Sequence, residues 1–158
     1  WKTGEHWQAR PGDDRKSKLY NKIRELLCRR KAAAQPLSLV FTKVNQVVRG
    51  WINYFKIGGM KYFLFKFSQW LRHKIRVVII KQWKLPRRIY TNLMRINKAL
   101  KCNFSDEDIH KVANTRLGWY KRSTGHVVNF LLSPKVLGIS KADRPGLVDP
   151  LEYYLSRR

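Results

Sequence analysis

Residues 61–84 read KYFLFKFSQWLRHKIRVVIIKQWK and carry the pattern from which the fold is inferred. At about 100° per residue, apolar side chains fall on one side of a helix and cations on the other. The apolar stripe consists of Leu64, Phe67, Leu71, Ile75 and Val78, and the opposite side carries Lys66, Arg72, His73, Arg76 and Lys84, with Trp70, Val77 and Ile80 along or near its edge. This pattern predicts a long helix with its apolar stripe in a core and a basic face outside.

The cations of this stretch have no acidic neighbours in the sequence. No Asp or Glu occurs between Leu26 and Ser105, although this interval contains eighteen Lys or Arg residues. The whole chain has a formal net charge of +24 and a sequence pI near 10.6. A surface of one charge sign repels itself unless an anion completes it, and nucleic acid is favoured because its binding releases condensed counterions. We therefore expect a nucleic acid as the partner.

Helical spacing continues on both sides of residues 61–84. Residues 15–30 predict a basic amphipathic helix, and the next helix is expected to begin at an N-cap Ser38 and to end at Gly58-Gly59. The apolar seam of this second helix consists of Val40, Val44, Val47, Trp51 and Tyr54, and its polar side consists of Thr42, Gln46, Arg49, Asn53 and Lys56. Further helices are expected at 87–98, at 106–114 after an N-cap Ser105, at 127–132, from Ser133-Pro134 and at 151–155. The fold class is therefore all-α, a helical bundle followed by a small, helical, loop-rich region.

Candidate catalytic and metal-binding groups are few. Asp13-Asp14 lies between Pro11-Gly12 and a basic helix, without flanking apolar strands or a third carboxylate, so we interpret it as a turn or a helix N-terminus. Cys28 and Cys102 are isolated and the four His are scattered, which predicts neither a disulfide framework nor a zinc site nor a catalytic triad. We expect no catalytic residue, no metal ligand and no cofactor in this chain.

Three motifs resemble the maturase region of group II intron reverse transcriptases. They read VRGWINYFK at residues 48–56, FSQWLR at residues 67–72 and KQWK at residues 81–84. This resemblance covers roughly residues 15–84. A second similarity, to the region that follows the maturase domain and contacts target DNA in this family, rests on ANTRLGWY at residues 113–120, LSP at 132–134 and LGI at 137–139.

The resemblance implies a division of the chain and a function. Residues 15–85 are expected to form the helical thumb, also called domain X, residues 86–158 a DNA-binding region, and residues 1–14 a remnant or linker from a missing polymerase palm. The family binds group II intron RNA to promote its folding and splicing, and contacts target DNA during retrohoming. Polymerase carboxylates and an endonuclease motif are absent from the sequence, so we expect this chain to be no enzyme. Its full-length parent would be an RNA-directed DNA polymerase, and Mg²⁺ is expected only for that polymerase and for the intron RNA.

The sequence predicts particular residues for the RNA-binding surface, for the DNA-binding surface and for the core. The expected RNA contacts are Arg49, Asn53, Lys56, Lys66, Arg72, His73, Arg76, Lys81 and Lys84. The expected DNA contacts are Arg87, Arg88, Arg95, Lys98, Arg116, Trp119, Lys121 and Arg122. The expected structural core of the bundle includes Val44, Val47, Trp51, Tyr54, Phe67 and Leu71. Trp70, Trp83 and Trp119 either stack on unpaired RNA bases or cover helix junctions.

Two alternatives stay open at this point. One is a stand-alone basic nucleic-acid-binding protein without intron specificity, and the other is an active reverse transcriptase completed by an upstream chain. The longest apolar cluster, at residues 77–80, is far too short for a membrane span, so we expect no membrane partner. We expect a cytoplasmic location, in a bacterium first and in an organelle as the alternative. A homodimer stays open, although nothing in the sequence supports one.

Overall fold

The computed structural model describes residues 2–3, 6–7, 10–56, 58–116, 118–139 and 145–157. A short antiparallel pair of strands, β1 (Lys2–Thr3) and β2 (His6–Trp7), precedes the helices. The helices are α1 (Asp13–Leu26), α2 (Arg29–Ala32), α3 (Leu37–Phe55), α4 (Lys61–Trp83), α5 (Pro86–Ala99), α6 (Asp106–Asn114), α7 (Trp119–Arg122), α8 (His126–Leu131), α9 (Pro134–Gly138) and α10 (Pro150–Arg157). The predicted all-α fold class is confirmed.

Helix α4 is the central element, as its apolar stripe predicts. Leu64, Phe67, Leu71, Ile75 and Val78 are all buried. Helices α2, α5, α7 and α10 pack around α4. Residues 75–80 of α4 are therefore all buried, which includes Val77 and Ile80. Their expected place near an exposed basic edge was wrong, because neighbouring helices enclose this end of α4.

The apolar seam of α3 is rotated relative to the predicted one. Val44 is fully buried, but Val47 and Trp51 are only half-buried, and Tyr54 is 80 % exposed. The buried residues of α3 are Val40, Phe41, Val44, Asn45, Val48 and Ile52. The assignment of Tyr54 to the core was therefore wrong. A spacing of four and three fits two adjacent stripes of one helix, and only the packing partners α1 and α10 decide between them.

Two helix N-termini lie where the sequence predicts them, at Asp13-Asp14 and after Ser105. Gly12 precedes α1 as the N-cap residue, and Asp13 and Asp14 lie in its first turn, where their charge favours the helix dipole. The interpretation of this pair as a helix N-terminus is confirmed. The hydroxyl of Ser105 accepts a hydrogen bond from the backbone N–H of Asp108 at 3.2 Å, as expected of an N-cap.

Two other boundaries differ from the sequence-based expectation. The predicted helix at residues 15–30 is divided in two: α1 ends at Leu26, and α2 follows as a separate helix. Helix α3 begins at Leu37 with Pro36 as its N-cap residue, so the N-cap assignment of Ser38 was wrong by two residues. Proline supplies the fixed φ needed at a helix start, without a side-chain oxygen.

The C-terminal part of the chain returns to the first helices. The side-chain amide of Asn45 in α3 donates to the carbonyl of Gly146 at 2.8 Å, and its oxygen accepts from the N–H of Val148 at 2.9 Å. Gly146 has no room for a side chain, since a Cβ there would collide with the carbonyl of Gly138. Helix α10 then packs on α3 and α4. One hydrophobic core therefore extends from Leu19 to Tyr154, and the division at residue 85 stays a prediction.

Candidate nucleic-acid interface

Arg76 is the clearest exception among the predicted RNA contacts. It is 8 % exposed, and its Nε donates to the carbonyl of Leu132 at 2.9 Å while Nη1 donates to Oδ1 of Asn129 at 3.1 Å. Burial, and secondarily the charge of Arg72, lowers the pKa of Arg76 to about 10, so it remains protonated at neutral pH. Its assignment to the exposed RNA-binding face was wrong. The guanidinium instead joins α4 to the turn after α8.

Arg72 and His73 are brought to the same side of α4 as Arg76, but both are half-buried. Arg72 lies 3.9 Å from a carboxylate oxygen of Asp149, and the ring of His73 meets that of Tyr120 edge-on at 4.2 Å between centroids. Arg72 and His73 also form part of the lining of a cavity of about 400 Å³. The second half of the chain therefore covers much of the basic face that the sequence of α4 predicts.

Arg49 and Asn53 of α3 lie beside α10. The hydroxyl of Tyr153 donates to Oδ1 of Asn53 at 3.0 Å, and the guanidinium of Arg49 lies 5.9 Å from the centre of the Tyr153 ring. Both residues are nevertheless exposed. They form an accessible polar edge where α3 meets α10, and their assignment as RNA contacts stays a prediction.

The remaining predicted RNA contacts are distributed along the surface. Lys56, Lys66 and Lys84 are exposed, and Lys81 is half-buried. The ammonium of Lys66 lies 5.0 Å from the centre of the Tyr62 ring. Lys84 has a φ of 64° at the turn between α4 and α5, a conformation that bulky side chains rarely adopt. These lysines do not converge on one site with Arg72 and His73.

The predicted DNA contacts divide into exposed surface cations and a structural pair. The exposed cations are Arg87, Arg88, Arg95 and Lys98 of α5, Arg116 after α6, and Lys121 of α7. Arg122 is half-buried, lies 4.8 Å from the centre of the Trp119 ring and donates to the carbonyl of Thr115. Arg122 and Trp119 therefore stabilise the connection between α6 and α7, and the exposed cations remain the better candidates for phosphate contacts.

Trp70 lies at the junction of α1 and α4. Its ring meets that of Tyr20 edge-on at 4.7 Å between centroids, and the guanidinium of Arg24 lies 5.5 Å from its centre. Burial is the main cause that raises the pKa of Tyr20, and the charge of Arg24 opposes it. Between stacking on RNA and covering a helix junction, these contacts favour the second role for Trp70.

Sequence reasoning missed a basic groove between α1 and α3. It holds about 600 Å³ and is lined from α1 by Arg15, Lys18, Leu19 and Lys22, and from α3 by Gln46, Val47, Gly50, Trp51, Tyr54 and Phe55. The signal was present in α1, because positions 15, 18 and 22 follow helical spacing. It could not be recognised as one wall of a groove without knowing that α1 packs on α3.

Most cations of the described residues have no carboxylate within ion-pair distance. Among the residues described, carboxylates lie within 4.0 Å of Arg15, Lys16, Arg72 and His110. In the same part of the chain, no group of three or more His, Cys, Asp or Glu residues could hold a metal ion. No helix in the described ranges combines the length and apolar character needed to cross a membrane. The arrangement thus offers phosphate-binding charge on a folded helical scaffold.

A model of the group II intron maturase-specific domain matches residues 16–96, just over half of the chain. The chain therefore belongs to the group II intron maturase family. This membership assigns it a role in group II intron splicing with group II intron RNA as its partner, and the maturase-specific domain is not itself catalytic. The match begins within α1, includes α2 to α4 and most of α5, and so extends past residue 85. No curated protein matches the chain.

Proposed function

We propose that this chain binds the folded RNA of a group II intron, stabilises its splicing-active form, and contacts target DNA during intron mobility as part of a reverse transcriptase. The observation that carries the RNA part is the maturase match across α1 to α4, on helices whose exposed cations mostly lack carboxylate partners among the described residues. A phosphate backbone supplies the missing negative charge. The DNA part is supported by the exposed cations of α5 to α7.

Binding to intron RNA is tested directly with the full chain. We expect it to prefer a folded group II intron RNA over a structured control RNA of equal length, and to keep this preference as salt rises. The generic phosphate contribution falls steeply with salt, by about 0.7 to 0.9 in log–log slope per contact, whereas shape-specific contacts persist. Filter binding over a salt series measures both. Equal affinities that vanish together would contradict intron specificity and favour the stand-alone basic module.

The DNA part is tested by removing cations that lie beyond the maturase match. We expect Lys98→Gln, Arg116→Gln and Lys121→Gln combined to weaken duplex DNA binding and to flatten its salt dependence by about 0.9 in log–log slope for each phosphate that is no longer neutralised. Affinity for intron RNA should change little. Electrophoretic mobility shifts measure both ligands.

The matched control for the DNA experiment removes three exposed cations elsewhere. The variant Arg30→Gln, Lys31→Gln and Lys61→Gln lowers the net charge equally, on α2 and at the start of α4. If the two triple variants lose duplex affinity to the same extent, the effect reflects net charge alone, and the assignment of a DNA surface to α5–α7 is contradicted.

A further inference from the structure

The groove between α1 and α3 combines the two chemistries that bind a single nucleic-acid strand. Cations at positions 15, 18 and 22 form its α1 wall, and the aromatic rings of Trp51 and Tyr54 belong to its α3 wall. Proteins that bind single strands place a row of cations along the backbone and aromatic rings against the bases. Lys18 and Lys22 are exposed and lie one helical turn apart, a separation of about 6 Å along the axis.

Packing inside the protein does not explain why residue 50 is a glycine. It lies in the middle of α3, where glycine destabilises a helix by about 0.5–1 kcal/mol relative to alanine. A Cβ at this position would have no heavy atom within 4 Å outside the local helix. The open space above Gly50 belongs to the groove, so the bare backbone there leaves room for something that binds in it.

The aromatic ring of Tyr54 contacts the protein on one side and is otherwise exposed to solvent. Its ring meets that of Phe55 edge-on, at 4.7 Å between centroids and 74° between planes, and the residue is 80 % exposed. Trp51 is half-buried and packs against Phe55 and Phe63 at 4.7 and 5.5 Å between ring centroids. The packed Trp51 thus supports the wall, and Tyr54 offers an exposed surface for stacking.

We propose that the groove between α1 and α3 binds an unpaired RNA strand, with a base stacked on Tyr54, phosphates on Lys18 and Lys22, and the strand passing closely over Gly50. This inference rests on the proposed function, because it names where an unpaired segment of intron RNA contacts the protein. Charge and stacking together select the occupant: the cations of α1 require an anion, and Tyr54 requires a flat ring, which a nucleic-acid base supplies and an acidic side chain does not. A duplex would present its phosphates but not its base faces to the ring.

Stacking is tested with Tyr54 variants of the full chain and an oligouridine of about 12 nucleotides, a length within the site sizes of single-strand binding proteins. Tyr54→Ala should weaken binding by about tenfold or more, the equivalent of one base stack, and Tyr54→Phe should retain most of the affinity. Tyr62→Ala is the matched control, because Tyr62 is 71 % exposed on α4 outside the groove. Fluorescence anisotropy measures each affinity.

The close approach over Gly50 is tested by filling the open space. Gly50→Leu should preserve or raise the melting temperature, since it replaces glycine in a helix, yet weaken oligouridine binding by about tenfold, as a blocked stack would. Gly50→Ala adds only a methyl group and should bind more tightly than Gly50→Leu. Improved stability together with weakened binding separates a blocked site from a damaged fold.

The lysines are tested through salt dependence. Lys18→Gln with Lys22→Gln removes two phosphate contacts and should flatten the log–log salt slope for oligouridine by about 1.4, at about 0.7 per contact. The control variant Lys111→Gln with Lys135→Gln removes two exposed lysines outside the groove and should leave the slope nearly unchanged.

The outcomes separate this inference from the proposed function. If Tyr54→Ala and Gly50→Leu bind oligouridine like the wild type, the groove proposal is overturned, even where the wild type still prefers intron RNA. A loss of the same size on duplex RNA would also overturn it, because stacking requires unpaired bases. A wild-type chain without preference for intron RNA whose Tyr54 variant still loses oligouridine binding contradicts the proposed function and supports the groove.

Discussion

The variant Arg76→Glu is expected to lose about 3–5 kcal/mol of unfolding free energy, the usual cost of breaking a buried charged interaction. Arg76 donates to the carbonyl of Leu132 and to Oδ1 of Asn129 from a position that is 8 % exposed. A glutamate there can donate no hydrogen bond when ionised, and its charge would face the same two oxygens. Urea unfolding followed by circular dichroism measures the loss.

Two further variants separate burial from charge in this experiment. Lys66→Glu makes the same charge change at an exposed position of α4 and should alter stability by less than about 0.5 kcal/mol. Arg76→Met keeps an apolar body but leaves the carbonyl of Leu132 without this donor, so we expect a loss of about 1–3 kcal/mol. An Arg76→Glu protein as stable as Lys66→Glu would instead place Arg76 on the exposed face that the sequence alone suggests.

The second large effect is expected at Tyr154, the largest fully buried side chain among the described residues. Tyr154→Ala removes its ring from the contact of α10 with α3 and α4 and should cost about 3–5 kcal/mol. The Tyr154 hydroxyl also donates to the carbonyl of Gly58 at 2.7 Å. Tyr154→Phe keeps the ring and loses this bond, with an expected cost of about 1–3 kcal/mol. Thermal and urea unfolding measure both.

The matched control lies on the same helix. Leu155 follows Tyr154 in α10 and is 48 % exposed, so Leu155→Ala should cost less than about 1 kcal/mol. If Tyr154→Ala were no more destabilising than Leu155→Ala, the docking of α10 would contribute little to stability. The C-terminal part of the chain would then be an appendage of the helical bundle and not a part of its core.

The two arginines of α4 show why the exposed residues of the site could not be predicted from helical periodicity alone. Arg72 and Arg76 lie on the polar side of an amphipathic pattern, and this pattern alone assigns both to solvent or to a ligand. The structure buries Arg76 and pairs Arg72 with Asp149, because segments at least 53 residues later in the sequence pack on that side. Helical periodicity reports which side of a helix is polar, and it cannot report whether a distant segment will cover it.

Tyr54 shows the same limit in the opposite direction. It continues the spacing of Val40, Val44, Val47 and Trp51, which predicts the core, yet it is 80 % exposed. The true buried stripe of α3 passes through Phe41, Asn45, Val48 and Ile52. Adjacent stripes of one helix differ by about 100°, and when both carry apolar residues their periodicity is nearly identical.

Local sequence patterns predict the all-α class, the central helix with its apolar stripe, the helix N-terminus at Asp13-Asp14, the N-cap at Ser105 and the motifs of the maturase family. These properties depend on neighbours within a few positions, where spacing and capping act. Long-range packing sets which cations remain exposed, closes one core across the chain through α10 and Asn45, and brings α1 and α3 together as the walls of a basic groove. Those features depend on contacts between segments distant in sequence, and local periodicity carries no information about such contacts.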